Sequence, residues 1–283
     1  MKTVKDIFNA FKNELSQLYD LNEIEALTLM VINDITKLTK AQIKAFPEKE
    51  ITGGQDEKLY QILERLKTGE PVQYILGHTE FYGLPFKVDP SVLIPRPETE
   101  ELVGWILHSV GSSPGNILDI GTGSGCIAIS LKKNLPDAHV SAIDISSRAL
   151  EIAKQNADLN LVNVKFIKDD ILNLTPQTSN FKSDVIVSNP PYVTEHDKMQ
   201  MHHNVTDFEP HTALFVPEND PLVFYRVISD YALDNLATNG LLFFEINESL
   251  GKETVELIEN KGFDNIELRK DMSGRDRMIK ATK

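Results

Sequence analysis

The sequence predicts an α/β protein: a parallel sheet covered by helices on both faces, preceded by a small all-helical domain. Three observations predict it. From Asn116 onward, short apolar runs of strand character alternate with stretches of helical periodicity, and such alternation builds parallel sheets from βαβ units. Two of those runs end in glycine- or proline-marked breaks, at Gly121–Gly125 and at Asn189–Pro191, the end at which open α/β sheets keep their ligands. The first seventy or so residues, by contrast, carry apolar positions at helical spacing only.

Taken in order, Val4, Ile7, Phe8, Phe11, Leu15 and Leu18 form the face of a first helix. Asn22 with Glu25 reads as a capping box ahead of Ile24, Leu27, Met30, Val31 and Ile35. A turn around Pro47 and Gly53-Gly54 leads into a helix bearing Leu59, Ile62, Leu63 and Leu66. Tyr74–Gly77 and Phe81–Val88 are rich in strand formers and broken by glycine and proline, as in a hairpin. A helix begins at Pro97, a favoured first-turn residue. Strands follow at 116–120, 139–143, 164–168, 184–188 and 241–246, helices near 125–135, 147–159, 222–236 and 252–260, and a last strand at Arg277–Ile279. The expected domains are residues 1–72, helical; 73–97, a hairpin linker; and 98–283, the α/β domain.

Of 283 residues, 41% are hydrophobic and 25% charged, ordinary for a globular chain. Cys126 is the only cysteine, which excludes an intramolecular disulfide, and the seven histidines are scattered, so no metal site is expected. Forty-two acidic against 29 basic residues give a net charge of −13. A nucleic-acid binder draws much of its affinity from Lys and Arg on phosphates, so no direct nucleic-acid partner is expected and a basic protein surface fits better. The sequence shows neither a signal peptide nor an apolar run long enough to span a bilayer. No membrane partner is expected, and the cytoplasm is the expected compartment.

Asn189-Pro190-Pro191-Tyr192 directly follows the apolar run 184–188. Proline lacks an N–H and holds the residue before it extended, so the Pro190 carbonyl is kept out of a helical turn. The Asn189 side chain adds a second acceptor, and Tyr192 a flat aromatic face. Two acceptors and a ring suit a planar –NH2 group. Earlier in the chain, Asp119-Ile-Gly121-Thr122-Gly123-Ser124-Gly125 opens a helix after a strand. A dinucleotide fingerprint would need glycine at 126, where Cys126 stands; the spacing found is the one used for S-adenosylmethionine. Asp144 ends the next strand, 23 residues beyond Gly121, where a carboxylate can accept ribose hydroxyls. Asp169 and Asp170 end the third, within reach of an adenine, and either one is a candidate for that contact.

These segments resemble the methyltransferases that act on amide or exocyclic amino nitrogens. Pro71-Val-Gln-Tyr-Ile-Leu-Gly77, Phe81-Tyr-Gly83, Leu93-Ile-Pro-Arg-Pro-Glu-Thr-Glu100, Phe208-Glu-Pro210 and Asp271-Met-Ser-Gly-Arg-Asp-Arg277 make the chain similar to the PrmC/HemK family of peptide-chain release factor glutamine methyltransferases. The resemblance implies a Rossmann-like class I methyltransferase domain with a mostly parallel seven-stranded sheet. It implies S-adenosylmethionine as donor and S-adenosylhomocysteine as product. The implied substrate is the glutamine of the Gly-Gly-Gln loop in class I release factors, docked with help from the helical domain. Arg96 and Glu98 would border the methionine end of the cofactor and the substrate. Some family members carry an aromatic residue where this chain has Asp170. The chain has its own Gly53-Gly54-Gln55, which a turn between helices explains without self-methylation.

For this chemistry the catalytic residues expected are Asn189, Pro190 and Tyr192, with Pro191 completing the substrate site. An amide nitrogen is a poor nucleophile because its lone pair is delocalised into the carbonyl. Accepting both N–H groups at Asn189 Oδ1 and the Pro190 carbonyl would aim that lone pair and stabilise the charge developing on nitrogen. The polar run 195–206 reads as a loop able to close over the substrate. A monomer is expected. A ribosomal-protein glutamine methyltransferase, a DNA adenine-N6 methyltransferase and a non-catalytic cofactor binder are the competing readings.

Overall fold

The computed structural model describes residues 2–111, 115–175, 178, 181–199 and 201–283. Its chain divides into two compact units, Met1–Gly77 with His202–Phe208, and His78–Met201 with Glu209–Lys283. The hairpin expected as a linker thus falls within the larger unit. Gln200, part of the polar run 195–206, lies outside the described residues.

The smaller unit contains α1 (Val4–Leu15), α2 (Leu21–Thr36), α3 (Lys40–Ala45), α4 (Gly53–Leu66) and α5 (Val72–Leu76). Ile7, Phe11, Leu15, Val31, Ile32, Leu59 and Leu66 are fully buried in one apolar core. The cap of α2 is Asp20, whose carboxylate accepts from Asn22 and Glu23 N–H, so the expected Asn22–Glu25 box is displaced to an aspartate two residues earlier. Gly53 and Gly54 do not form an inter-helix turn; they are the first turn of α4. Gln55 there closes a capping box, its Oε1 accepting from Thr52 N–H at 3.2 Å. Tyr74–Gly77, expected extended, instead belongs to α5 and its left-handed Gly77 cap. Its β-branched and aromatic composition pointed to a strand, but burial of Val72 and Tyr74 on one helical turn prevails.

The larger unit begins with an antiparallel hairpin, β1 (His78–Phe81) and β2 (Leu84–Lys87), followed by α6 (Pro97–Ser109). Then come β3 (Asn116–Ile120), α7 (Cys126–Asn134), β4 (His139–Asp144), α8 (Ser147–Leu159), β5 (Lys165–Lys168) and β6 (Ser183–Ser188). Three short helices follow, α9 (Glu195–Lys198), α10 (His203–Thr206) and α11 (His211–Leu214), of which α10 falls in the smaller unit. The chain ends with α12 (Val223–Asn235), β7 (Leu236–Glu245), α13 (Gly251–Asn260), β8 (Asp264–Lys270) and β9 (Asp276–Thr282). The sheet has seven strands in the order β5-β4-β3-β6-β7-β9-β8, parallel except that β9 runs antiparallel to both neighbours.

Alternation along each strand builds two cores. Ile117, Val185, Val187 and Phe243 pack under α6 and α7 on one face. Leu118, Ile120, Ile186, Leu242 and Phe244 pack under α12 and α13 on the other, as period-2 side-chain geometry requires. The sequence-based reading missed β8, an edge strand whose Ile266 and Leu268 are its only partly covered positions, so the pattern is weak there. It also took 195–206 as one loop; the run contains α9 and α10, single polar turns too short to show a period. Among the described residues no helix is long and apolar enough to cross a membrane, and no three His, Cys, Asp or Glu side chains cluster to hold a metal.

The chain runs from β3 to β4 and β5 on one side, then returns to lay β6 on the other side of β3. That reversal opens a crevice between the carboxyl ends of β3 and β6, the usual ligand position in such sheets. Register brings the strand ends level: Ile120 pairs with Ile143 and Ser188, and Asp144 with Lys168. The segments beginning at Gly121, Ile145, Asp169 and Asn189 therefore start at one edge.

Candidate active site

A cavity of about 450 Å³ occupies this edge, with Gly121, Gly123, Asp144, Asp169, Asp170, Asn189, Pro190 and Pro191 among its walls. Its remaining lining is largely apolar and includes Leu93, Ile145, Ile171, Leu172, Phe224 and Ile228. The glycine loop is pinned by Gly121 and Thr122 N–H on the Ile143 carbonyl, and by Gly125 N–H on the Thr122 carbonyl. Gly121 and Gly123 both have positive φ, at 75° and 55°, and a Cβ on either would project into open space. Gly125 serves packing instead. At φ +82, its Cβ would come within 2.9 Å of Ile129 Cδ1 and 3.2 Å of Ala153 Cβ, so its bareness lets α7 approach α8.

The structure sorts the acidic residues by task. Asp144 stands at the cavity wall, with Oδ2 accepting from Gly123 N–H and Oδ1 from Ser146 N–H, both at 2.8 Å. Burial pushes its carboxyl above the ordinary range, partly offset by those N–H donors. Asp119, by contrast, is fully buried beneath the loop and outside the cavity lining. Its Oδ2 accepts from Thr122 Oγ1 at 2.6 Å, and burial pushes its pKa to about 7. Thr122, Ser124 and Gly125 also lie outside the lining, so this half of the motif shapes the loop. Asp169 borders the cavity but turns its carboxylate inward, accepting from Asp170 N–H at 2.9 Å, Thr175 Oγ1 at 2.8 Å and Thr178 Oγ1. Burial works to raise its pKa, but the hydroxyl and N–H donors outweigh it and hold it below the usual value. Asp170 accepts from Leu172 N–H and Asn173 Nδ2 and closes its own turn.

Asn189 lies where the first cavity meets a second one of about 500 Å³; Leu93, Asn189 and Ala213 line both. The second is polar, walled by Arg96, Tyr192, Asp197, Asn247, Arg275 and Arg277 among others. Asn189 Nδ2 donates to Thr99 Oγ1 at 3.3 Å. Among the described residues, neither Asn189 Oδ1 nor the Pro190 carbonyl accepts a hydrogen bond. The turn is fixed from behind: Asn247 Nδ2 donates to the Tyr192 carbonyl at 2.9 Å, and Val193 bridges to Phe215. Tyr192 Oη donates to Glu245 Oε1 at 3.1 Å, and burial, then the Glu245 charge, push the phenol well up. Arg96 pairs with the buried Glu209 carboxylate, which also accepts from Ile94 N–H. Glu98 sits in the first turn of α6 and lines neither cavity.

Comparison with known proteins decides the family. A chain from Flavobacterium psychrophilum described as "Release factor glutamine methyltransferase" is 48% identical over 281 residues, 98% of each chain. One of the same description from Bacteroides thetaiotaomicron is 42% identical, covering 96% of this chain and 97% of its own. The chain belongs to the release factor glutamine methyltransferase family. Residues 6–77 of this family member match the PrmC N-terminal domain, and 104–208 match the methyltransferase small domain. A solved methyltransferase from Pyrococcus furiosus is similar in fold, with a TM-score of 0.52 at 17% identity over 82% of this chain and 98% of that one.

In this member of the methyltransferase family, the sequence-based reading missed three side chains around Asn189: Thr99, Glu245 and Asn247. Each had a signal. Thr99 lies inside the Pro-Arg-Pro-Glu-Thr-Glu segment, and Glu245 is a lone acid closing the apolar run Leu241–Phe244. Asn247 follows two residues later, where a parallel strand reaches the ligand edge. Burial raises the Glu245 pKa against donation from Thr99 and the charge of Arg277.

Proposed function

We propose that this enzyme transfers a methyl group from S-adenosylmethionine to the side-chain amide nitrogen of the glutamine in the Gly-Gly-Gln loop of class I release factors. The observation that carries the reading is the pair of unoccupied acceptors, Asn189 Oδ1 and the Pro190 carbonyl, at the junction of two cavities. The names and full-length similarity of the relatives support the same substrate.

The chain's residues fit the donor. Gly121 and Gly123 leave backbone open to close approach, Asp144 stands at a strand tip for ribose hydroxyls, and apolar side chains suit an adenine. Bound there, S-adenosylmethionine supplies an electrophilic sulfonium methyl group. Asn189 Oδ1 and the Pro190 carbonyl each accept one N–H of the substrate amide, which presents the nitrogen lone pair to the first cavity. Fixed acceptors also stabilise positive charge as it develops on that nitrogen, and they do so without reorganising. Tyr192, its hydroxyl tied to Glu245, offers its ring to the planar amide and excludes water. The product nitrogen loses its proton to solvent, so no side chain acts as base. Arg96 faces the incoming peptide through the second cavity. We assign docking of the release factor to the helical unit, and the enzyme to the cytoplasm as a monomer.

Incubation with labelled cofactor tests the reading. Label is expected in a class I release factor and absent from the same factor with its loop glutamine changed to alanine, from ribosomal proteins and from duplex DNA. Label persisting in the glutamine-free factor, or appearing in DNA, overturns it.

A further inference from the structure

Glu245 makes no contact with a reacting group in the chemistry above, yet a buried carboxylate at the heart of a site calls for a reason. Two hydroxyls donate to it, Thr99 Oγ1 to Oε2 at 2.6 Å and Tyr192 Oη to Oε1 at 3.1 Å. A threonine hydroxyl has one proton. Once that proton is given to Glu245, Thr99 Oγ1 has only lone pairs to offer, and Asn189 Nδ2 lies against them at 3.3 Å.

The consequence falls on the orientation of the Asn189 amide. Turned over, its carbonyl oxygen would meet an oxygen that has no proton left, two acceptors face to face. As it stands, nitrogen faces Thr99 and Oδ1 faces the junction of the cavities. Among the described residues no other side chain holds the Asn189 amide, so this one relay decides which end is presented. We propose that Thr99 and Glu245 are positioning residues that orient the Asn189 amide with its oxygen toward the substrate. Polarity passes from the carboxylate through the hydroxyl to the amide; the long Thr99–Asn189 contact contributes direction more than strength. The inference rests on the reading of Asn189 as an acceptor of the substrate N–H.

Thr99→Val keeps the shape and removes the hydroxyl, whereas Thr99→Ser keeps the hydroxyl and removes a methyl. Single turnover on a class I release factor, with saturating cofactor and wild-type protein alongside, is expected to slow about 10–100-fold in Thr99→Val, the cost of leaving a polar group unmatched. It is expected to stay within about threefold of wild type in Thr99→Ser, with cofactor Kd nearly constant in both. A packing role predicts the reverse order, an active valine variant and an impaired serine one. That order, wild-type rates in both, or equal impairment in both would overturn the proposal. A second measurement needs no turnover: in protein labelled with 15N at asparagine, the Asn189 side-chain protons are expected to exchange faster in Thr99→Val and as in wild type in Thr99→Ser. Exchange unchanged in Thr99→Val sinks the relay whatever the substrate, whereas wild-type protein that fails to label the release factor sinks only the functional reading.

Discussion

The glycine loop and the Asn-Pro-Pro-Tyr turn cap neighbouring parallel strands, yet they are held in opposite ways. The loop is held by nearby chain: Thr122 bonds back to Asp119, Gly125 to Thr122, and the longest reach is 32 residues, from Asn156 Nδ2 to the Ser124 carbonyl. The turn depends on distant chain. Asn189 is held by Thr99, 90 residues earlier, and the Tyr192 carbonyl by Asn247, 55 residues later. The glycine loop is closed by chain no more than 32 residues away, but the pair of acceptors at the turn is assembled by the whole domain.

The sharpest way to break this comparison is to show that the turn does no more than the loop. Asn189→Ala is expected to lower single-turnover methylation by about 10²–10³-fold, the scale for removing one electrostatic partner of a transition state, with a smaller change in cofactor affinity. Rates unchanged in that variant would remove the distinction.

Next in size is the pH response of the loop. An acid whose folded-state pKa is about 7, above its ordinary 3.8, holds its proton longer in the folded chain than in the unfolded one. Its stabilising contribution is complete below about 4 and is lost as pH rises through 7, at up to about 1.4 kcal/mol per pH unit. Denaturant titrations of Asp119→Asn should therefore show a shallower fall in stability between pH 4 and 7 than wild type; parallel curves would place the proton elsewhere.

Asp144→Ala tests the cavity side of the same loop. Cofactor Kd is expected to rise about tenfold or more, given that hydrogen bonds to charged groups contribute roughly 1.5–3 kcal/mol, while the rate at saturating cofactor changes little. Calorimetry gives the first quantity and single turnover the second. Smallest is Gly125→Ala, in which a Cβ must fit beside Ile129 and Ala153 at positive φ. A loss of about 1–2 kcal/mol in unfolding free energy is expected, read by thermal melting, with cofactor affinity nearly preserved because the position lies outside the cavity.

Legibility in the sequence followed the same division. Gly121–Gly125, Asp144 and Asn189–Tyr192 announce themselves because local spacing carries their geometry, and the central strands do so because burial on both faces makes them apolar. Edge strand β8 escaped because half of its pattern faces water. Thr99 and Glu245 escaped as site residues for another reason: their meaning lies in each other, and they stand 146 positions apart, beyond any local pattern. Asp169 marks the middle ground, recognisable as a strand-end acid while its loop partners Thr175 and Thr178, which claim its carboxylate, were not.

The capping box at the start of α4 has one more implication. The protein carries Gly53-Gly54-Gln55, the tripeptide of its own proposed substrate, with the glutamine oxygen spent on Thr52 and the backbone wound into a helix. To a neighbouring copy that segment offers a coil already closed on itself, with no extended strand. The same three letters thus stand here already folded away, in a helical turn whose glutamine oxygen is engaged.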